Sequence, residues 1–316
     1  MVKTALIGAT GFVGSNLRMT QDFEELYSSG NIANSAGQSF DTVICTAAPG
    51  SMIEANRAPE RDTAHIDAII GHLSRLKARR VVLISSIAVL AGFGSGQDED
   101  TCAFEEDLAY GRNRRKLEEF CADAFDRSLI VRLPALFGQG LRKNMLFDLM
   151  NPVPSMLAPE RRDALAQAVE PSVAERLMSF YGFDPATAMW HLDRATLDAA
   201  PDRQSLDAAV EAAGFEALRF TNPASRFQFF DLSLLSGAIG IATDAGLSVL
   251  HMAPQPVGAQ EVVTALRASP MPQSSARIHI EDMQTKHAAL FGRNDKYIAD
   301  AGQVLERLHS FVASQG

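Results

Sequence analysis

The sequence predicts an α/β protein: a doubly wound parallel sheet carrying a helical insertion and a smaller mixed C-terminal subdomain. Three observations carry that expectation. Short apolar runs alternate with amphipathic segments through the first half of the 316 residues. Such alternation implies parallel pairing, because each return to the sheet needs a crossover long enough to hold a helix. Glycines at 8, 11 and 14 stand where the first apolar run gives way to a helical pattern. The composition, 47% hydrophobic and 21% charged, is that of an ordinary globular chain able to bury a sizeable core.

Taken in order, residues 2–7 read as a buried strand, followed by a glycine turn and a helix to residue 20. A second strand at 23–27 leads into SSGNIANSAGQS, too short and too rich in small polar residues for a full helix, so the second crossover is expected to be abbreviated. FDTVICTAAPG at 40–50 supplies a third strand, a helical pattern covers 59–77, and RVVLISS at 80–86 is the fourth strand. A helix opening at Tyr110 feeds SLIVRLPALFG at 128–138, the fifth. Right-handed crossovers stack these into a doubly wound sheet. Beyond it, amphipathic segments at 158–181, 185–199 and 202–214 read as a helical insertion. Strand-like pieces return at 226–230, 247–253 and 276–280, and a closing helix is expected at 301–314. The expected division is a dinucleotide-binding domain over 1–150 and a substrate subdomain over 151–316, the latter interleaved with the sheet.

Net charge is −9, which removes the usual electrostatic footprint of a nucleic-acid groove. Cys45, Cys102 and Cys121 form no Cys-x-x-Cys pair and have no histidine cluster nearby, arguing against a disulfide framework or a structural metal and for a reducing, cytoplasmic compartment. The N-terminus enters a strand pattern at once, and no apolar run is long enough for a membrane span.

In GATGFVG, Gly8 permits a tight turn, Gly11 lets backbone approach a pyrophosphate, and Gly14 lets helix and strand pack closely. Its position after the first strand favours a dinucleotide over a simple turn. An acidic residue for ribose hydroxyls is absent near Tyr27, Ser28 and Ser29, and so is an arginine for a 2′-phosphate. Arg18 and Asn31 are within range of that region, Arg18 being equally an ordinary solvated residue. NAD and NADP both stay open.

On the helix AYGRNRRKLEEF, a turn of about 100° per residue puts Tyr110, Arg114, Leu117 and Cys121 on one stripe, with Arg112, Arg115, Lys116 and Glu119 opposite. Arg114 on a core-facing stripe needs an anion, so two readings stand: a site cation, or half of a salt bridge to a nearby carboxylate.

These segments resemble the short-chain dehydrogenase/reductase superfamily in its extended, nucleotide-sugar epimerase/dehydratase branch. GATGFVG, FDTVICTAA, VVLISSIAV followed by Tyr110, and VRLPALFGQGL carry the resemblance over the first 145 residues; RFQFFDLSLL extends it loosely. The resemblance implies a Rossmann sheet and an oxidoreductase or epimerase acting on a sugar-like substrate. Tyr110 is then the acid/base, Ser86 orients the reacting oxygen, and Arg114 stands where the family has lysine. It implies cofactor contacts at Gly8, Thr10, Gly11, Phe12, Val13, Gly14, Ala47, Ala48 and Pro134, and substrate contacts at Ser85, Asn144, Arg226 and Gln228, with no metal. Pro134 is equally a simple loop proline. Arg142, Lys143 and Arg226 are expected to supply positive charge for a diphosphate or to be plain surface cations. Arginine keeps the lysine's charge and donors but releases no proton near neutral pH. A second departure is AHIDAII at 64–70, where the family has an asparagine and then a glycine; His65 lies nearest and reads as solvated or as a satisfied core residue. Trp190 reads as packing. The branch also implies a homodimer through helices 60–77 and 110–125. The competing class is a non-catalytic dinucleotide-binding sensor or scaffold that has lost proton transfer.

Overall fold

The structure, a computed structural model, describes residues 3–267 and 270–315. Six strands form a parallel sheet: β1 (Thr4–Ile7), β2 (Glu25–Tyr27), β3 (Ser39–Cys45), β4 (Lys77–Ser86), β5 (Ser128–Leu133) and β6 (Val249–His251). Their spatial order is β2-β1-β3-β4-β5-β6. The first strand, expected over 2–7, begins at Thr4; Val2 lies outside the described residues. The abbreviated second crossover is present: between β2 and β3 there is only a 3-10 turn, Ile32–Ser35, and β2 ends the sheet.

The strand residues alternate between two packed faces, as a period of two demands. Ala5, Ile7, Val43, Cys45, Val81, Leu83 and Ile130 join Ile66, Ile69 and Leu73 of α3 (Pro59–Leu73) and Leu117 and Cys121 of α4 (Ala109–Ala124). On the opposite face Leu6, Ile44, Val82, Ile84, Leu129, Val131 and Leu133 pack with Leu17 of α1 (Phe12–Thr20) and with Leu235, Ala238 and Ile239 of the helix Leu235–Asp244. Both faces are covered, which is why these strands read as continuous apolar runs. Each fully buried Leu or Ile contributes about 1.5–3 kcal/mol.

The chain divides into two compact units. One comprises Met1–Gly140, Arg226–Val257 and Ile280–Gly316; the other comprises Leu141–Ser225 and Gly258–His279. The break thus lies at 140 rather than 150, and the C-terminal half returns β6 to the sheet. In the second unit the expected helix at 185–199 is a hairpin instead: Tyr181–Asp184 pairs antiparallel with Met189–Leu192, and a short helix, Arg194–Asp198, follows. Pro185 sits in the turn, and Phe183 packs across the hairpin against Trp190 with ring centroids 5.4 Å apart. Cross-strand aromatic pairing outweighs the helical periodicity of this stretch. Trp190 is packing, as expected, with Arg162 stacked 4.3 Å from its ring.

Candidate active site

The site is built at the carboxyl ends of the parallel strands, where ligands bind in doubly wound sheets. Gly8 has φ +89, and a Cβ there would lie 2.6 Å from Thr46 Oγ1 and 2.8 Å from Ala47 N. A Cβ on Gly14 would meet the Gly8 carbonyl oxygen at 2.2 Å. These two glycines let α1 and the loop after β3 close on the β1 turn. Gly11 differs: among the described residues a Cβ there would meet just the Gly8 oxygen, at 3.3 Å, so its outward side is open. Thr10 and Gly11 are exposed, Phe12 and Val13 half-buried, and α1 has no side-chain cap on its first N–H groups. The half-buried Ala47 and Ala48 border the same turn. An open glycine, uncapped helix N–H groups and flanking alanines fit a pyrophosphate. Asn31 folds back on β2, its amide oxygen accepting from Ser28 N at 2.6 Å and its nitrogen donating to the Leu26 carbonyl; Arg18 is solvated.

Ser86 ends β4 and caps the 3-10 turn Ile87–Val89, its hydroxyl accepting from Ala88 N at 3.2 Å. Helix α4 arrives beside that turn through Gly111, where an added Cβ would fall 2.1 Å from the Ala88 carbonyl oxygen. Tyr110, 8% exposed, packs against Ala88 and Ala55. Its backbone N–H, an orphan of the first helical turn, donates to the Asn56 side chain of α2 (Met52–Arg57) at 2.9 Å. Ser86 and Tyr110 therefore flank one turn. Pro134 is buried immediately after β5.

Arg114 is 2% exposed and occupies the second of its two readings. Its Nη1 bonds the buried Asp62 carboxylate of α3 at 2.5 Å, its Nη2 donates to the Pro49 carbonyl, and its guanidinium lies 3.9 Å from the centre of the Tyr110 ring. Asn113 also donates to Asp62, at 2.8 Å. Lys116 is exposed and pairs with Asp67, His65 is exposed, and both belong to the solvated face. Arg115, expected with them, is half-buried: it stacks 3.9 Å from the Phe104 ring and pairs with Glu118 and Glu119.

A second buried array crosses three strands at one level, Ser85 being in register with Arg132 and Arg132 with His251. Glu118, 1% exposed, accepts from Ser85 Oγ at 2.5 Å, from Arg132 Nε at 3.0 Å and Nη2 at 2.7 Å, and from Arg115 at 3.1 Å. Arg132 Nη1 reaches His251 Nε2 at 3.1 Å. A guanidinium only donates, so Nε2 accepts and Nδ1 donates to the Gln284 carbonyl at 2.9 Å. Burial, with help from the Arg132 charge and against Glu99, holds the His251 pKa below its ordinary 6.5. The unfolded chain thus takes up this proton first as pH falls. His251 leaves stability intact above about pH 6.5 and subtracts from it as pH drops toward its folded pKa. The urea midpoint should fall between pH 8 and pH 5.5, and by less in His251→Gln; equal falls would remove His251 as the cause.

Two expected substrate contacts, Ser85 and Gln228, are corrected. Ser85 faces Glu118 and is buried, because successive strand residues point to opposite faces. Gln228 is fully buried; its nitrogen donates to the Pro254 and Met283 carbonyls and its oxygen accepts from Met283 N, which occupies both N–H donors on a loop. Asn144, at φ 105, caps the helix Met145–Met150 of the second unit, its oxygen accepting from Leu146 N and Phe147 N. Arg226 is exposed and donates to the Pro256 carbonyl; Arg142 and Lys143 are exposed in the second unit. Asp62, Asn56, Gly111, Glu118 and His251 were not anticipated. Glu118 alone left a signal, lying next to Leu117 rather than on the far side of the helix.

Cys45 and Cys121 are buried free thiols, and burial pushes Cys45 up to about 11. Among the described residues no His, Cys, Asp or Glu cluster suited to a metal occurs, and no helix is long and apolar enough to cross a membrane.

No protein-family model and no curated protein matches this chain. Solved structures do. MoeE5 in complex with UDP-glucuronic acid and NAD is 14% identical over 99% of this chain and 100% of its own, with a TM-score of 0.60. The dTDP-4-dehydrorhamnose reductase of Bacillus anthracis str. Ames in complex with NADP is 12% identical over 99% of each chain, at 0.61. The UDP-N-acetylglucosamine 4-epimerase of Methanobrevibacter ruminantium M1, in complex with UDP-N-acetylmuramic acid, is 10% identical over 100% of this chain and 99% of its own, also at 0.61. This chain has the α/β fold of these epimerases and reductases.

Proposed function

We propose that this chain is an NAD(P)-dependent oxidoreductase or epimerase that moves a hydride between nicotinamide and a hydroxyl or carbonyl carbon of a sugar-like substrate, free or nucleotide-linked. The observation that carries the reading is the convergence, at one sheet edge, of an open glycine loop and of Ser86 and Tyr110 about a single turn. The bound dinucleotide would supply hydride transfer at its nicotinamide ring. Gly11 and the first turn of α1 would hold the pyrophosphate, in the turn that Gly8 and Gly14 permit and with Ala47 and Ala48 alongside. Ser86 orients the reacting oxygen and Tyr110 exchanges its proton. Ser86 is followed by Ile87, Ala88 and Val89 rather than by an acidic residue, which favours a reductase or epimerase over a dehydratase.

The test is native mass spectrometry of the purified protein, followed by calorimetric titration with NAD, NADH, NADP and NADPH. A retained dinucleotide supports an epimerase; exchangeable binding of one reduced form supports a reductase; no binding refutes both. Tyr110→Phe should leave dinucleotide affinity within a few fold and lower turnover by about two orders of magnitude or more. Undiminished turnover would remove Tyr110 from the mechanism.

The second reading, a dinucleotide-binding sensor or scaffold, is favoured by the buried Arg114–Asp62 pair, which engages the cation that stands at the lysine position. A homodimer through α3 and α4 belongs to the proposal as well. Their outward faces carry His65 and Asp67 and Arg112, Lys116 and Glu119, so such an interface would be polar.

A further inference from the structure

Arg114 keeps the positive charge of the lysine it stands for, yet the structure surrounds that charge with compensation. Asp62 lies on a different helix, is 4% exposed, and meets the guanidinium at 2.5 Å. Two other groups fix the geometry: the Pro49 carbonyl, in the loop after β3, and the face of the Tyr110 ring. The guanidinium is thus pinned from three elements at once, and its Nε has no partner. A buried ion pair contributes little net charge to its surroundings, whereas the same cation without its partner would act strongly through a low-dielectric interior.

We propose that Asp62 is a positioning residue that holds Arg114 flat against Tyr110 and cancels its charge, so that the wall beside Tyr110 is electrically close to neutral. This inference rests on the dinucleotide-binding function proposed above and goes beyond it. Were a nicotinamide ring to react at Tyr110, an uncompensated cation there would disfavour its oxidised form, which is positively charged, relative to the reduced one, which is not. Pairing with Asp62 removes that bias. The pair thereby sets the ratio of affinities for the oxidised and reduced forms, which is the redox poise of the bound couple.

The experiment is calorimetric titration of the full chain with both members of whichever couple it binds, NAD+ and NADH or NADP+ and NADPH. The proteins compared are wild type, Asp62→Asn and Asp62→Asn/Arg114→Gln. Asp62→Asn should raise the ratio of the oxidised to the reduced dissociation constant at least fivefold, an order of magnitude set by one unit charge at effective protein dielectric. The doubly neutral variant should return the ratio to within about twofold of wild type. A purely structural role would weaken both forms alike, so an unchanged ratio in Asp62→Asn overturns the inference while leaving dinucleotide binding in place. Absence of binding by wild type overturns the functional reading, and this inference with it. Should Asp62→Asn fail to fold, Asp62→Asn/Arg114→Lys carries the same uncompensated charge on a side chain free to turn. It is then compared with the doubly neutral variant, with the same rise expected and the same unchanged ratio overturning the inference.

Discussion

Glu118→Ala is expected to destabilise the folded chain by about 3–5 kcal/mol, the cost of leaving a buried charge without its partner. Arg132 is 2% exposed and directs two donors at the Glu118 carboxylate. With that carboxylate gone, it keeps the His251 ring nitrogen and the face of Phe104, neither of which can neutralise it. Ser85 Oγ loses its acceptor in the same step. Urea denaturation at pH 8 measures the change; Glu118→Gln, which keeps an acceptor oxygen but no charge, should fall between wild type and alanine. A loss below about 1 kcal/mol would show that Arg132 is solvated in the native state, contrary to its burial. Because α4 carries both Glu118 and Tyr110, the array also ties the helix of Tyr110, the acid/base proposed above, to β4 and β5.

Gly111→Ala should damage activity more than stability. The added Cβ would stand 2.1 Å from the Ala88 carbonyl oxygen, a backbone atom unable to swing aside, and the Glu105 side chain is close as well. Helix α4 must then move away from the turn that carries Ser86. Overpacking of this kind costs about 1–3 kcal/mol. A displacement of Tyr110 by roughly 1 Å relative to Ser86 would lower turnover about a hundredfold. Gly71→Ala is the control: nothing lies within 4 Å of its Cβ, and it sits inside α3, so it should be neutral or stabilise slightly. Comparable turnover losses in the two variants would show that the close approach at Gly111 has no part in placing Tyr110.

By itself the sequence determined the sheet and the glycine turn at its edge. Strand signals such as VVLIS and VICTA are apolar on both faces, and burial of both faces is a local property that composition records. The glycine spacing is equally local, because Gly8 and Gly14 answer to atoms within one strand–turn–helix unit and the adjoining loop. The stripe of Tyr110, Arg114, Leu117 and Cys121 followed from helix geometry alone, and all four are buried. Where periodicity spoke without tertiary context it failed: residues 185–199 are partly a hairpin because Phe183 and Trp190 meet across strands.

The tertiary structure alone decided which charges are compensated. Asp62 and Arg114 stand 52 residues apart, and Arg132 and His251 stand 119 apart. No pattern within a helix or strand announces such pairs, since their attraction arises only when packing brings them together and excludes water. The same cause reassigned Ser85 and Gln228 from substrate contacts to buried partners of Glu118 and of the Met283 backbone. A polar residue's type states what it can bond; which bond it makes depends on the donors and acceptors that folding leaves beside it.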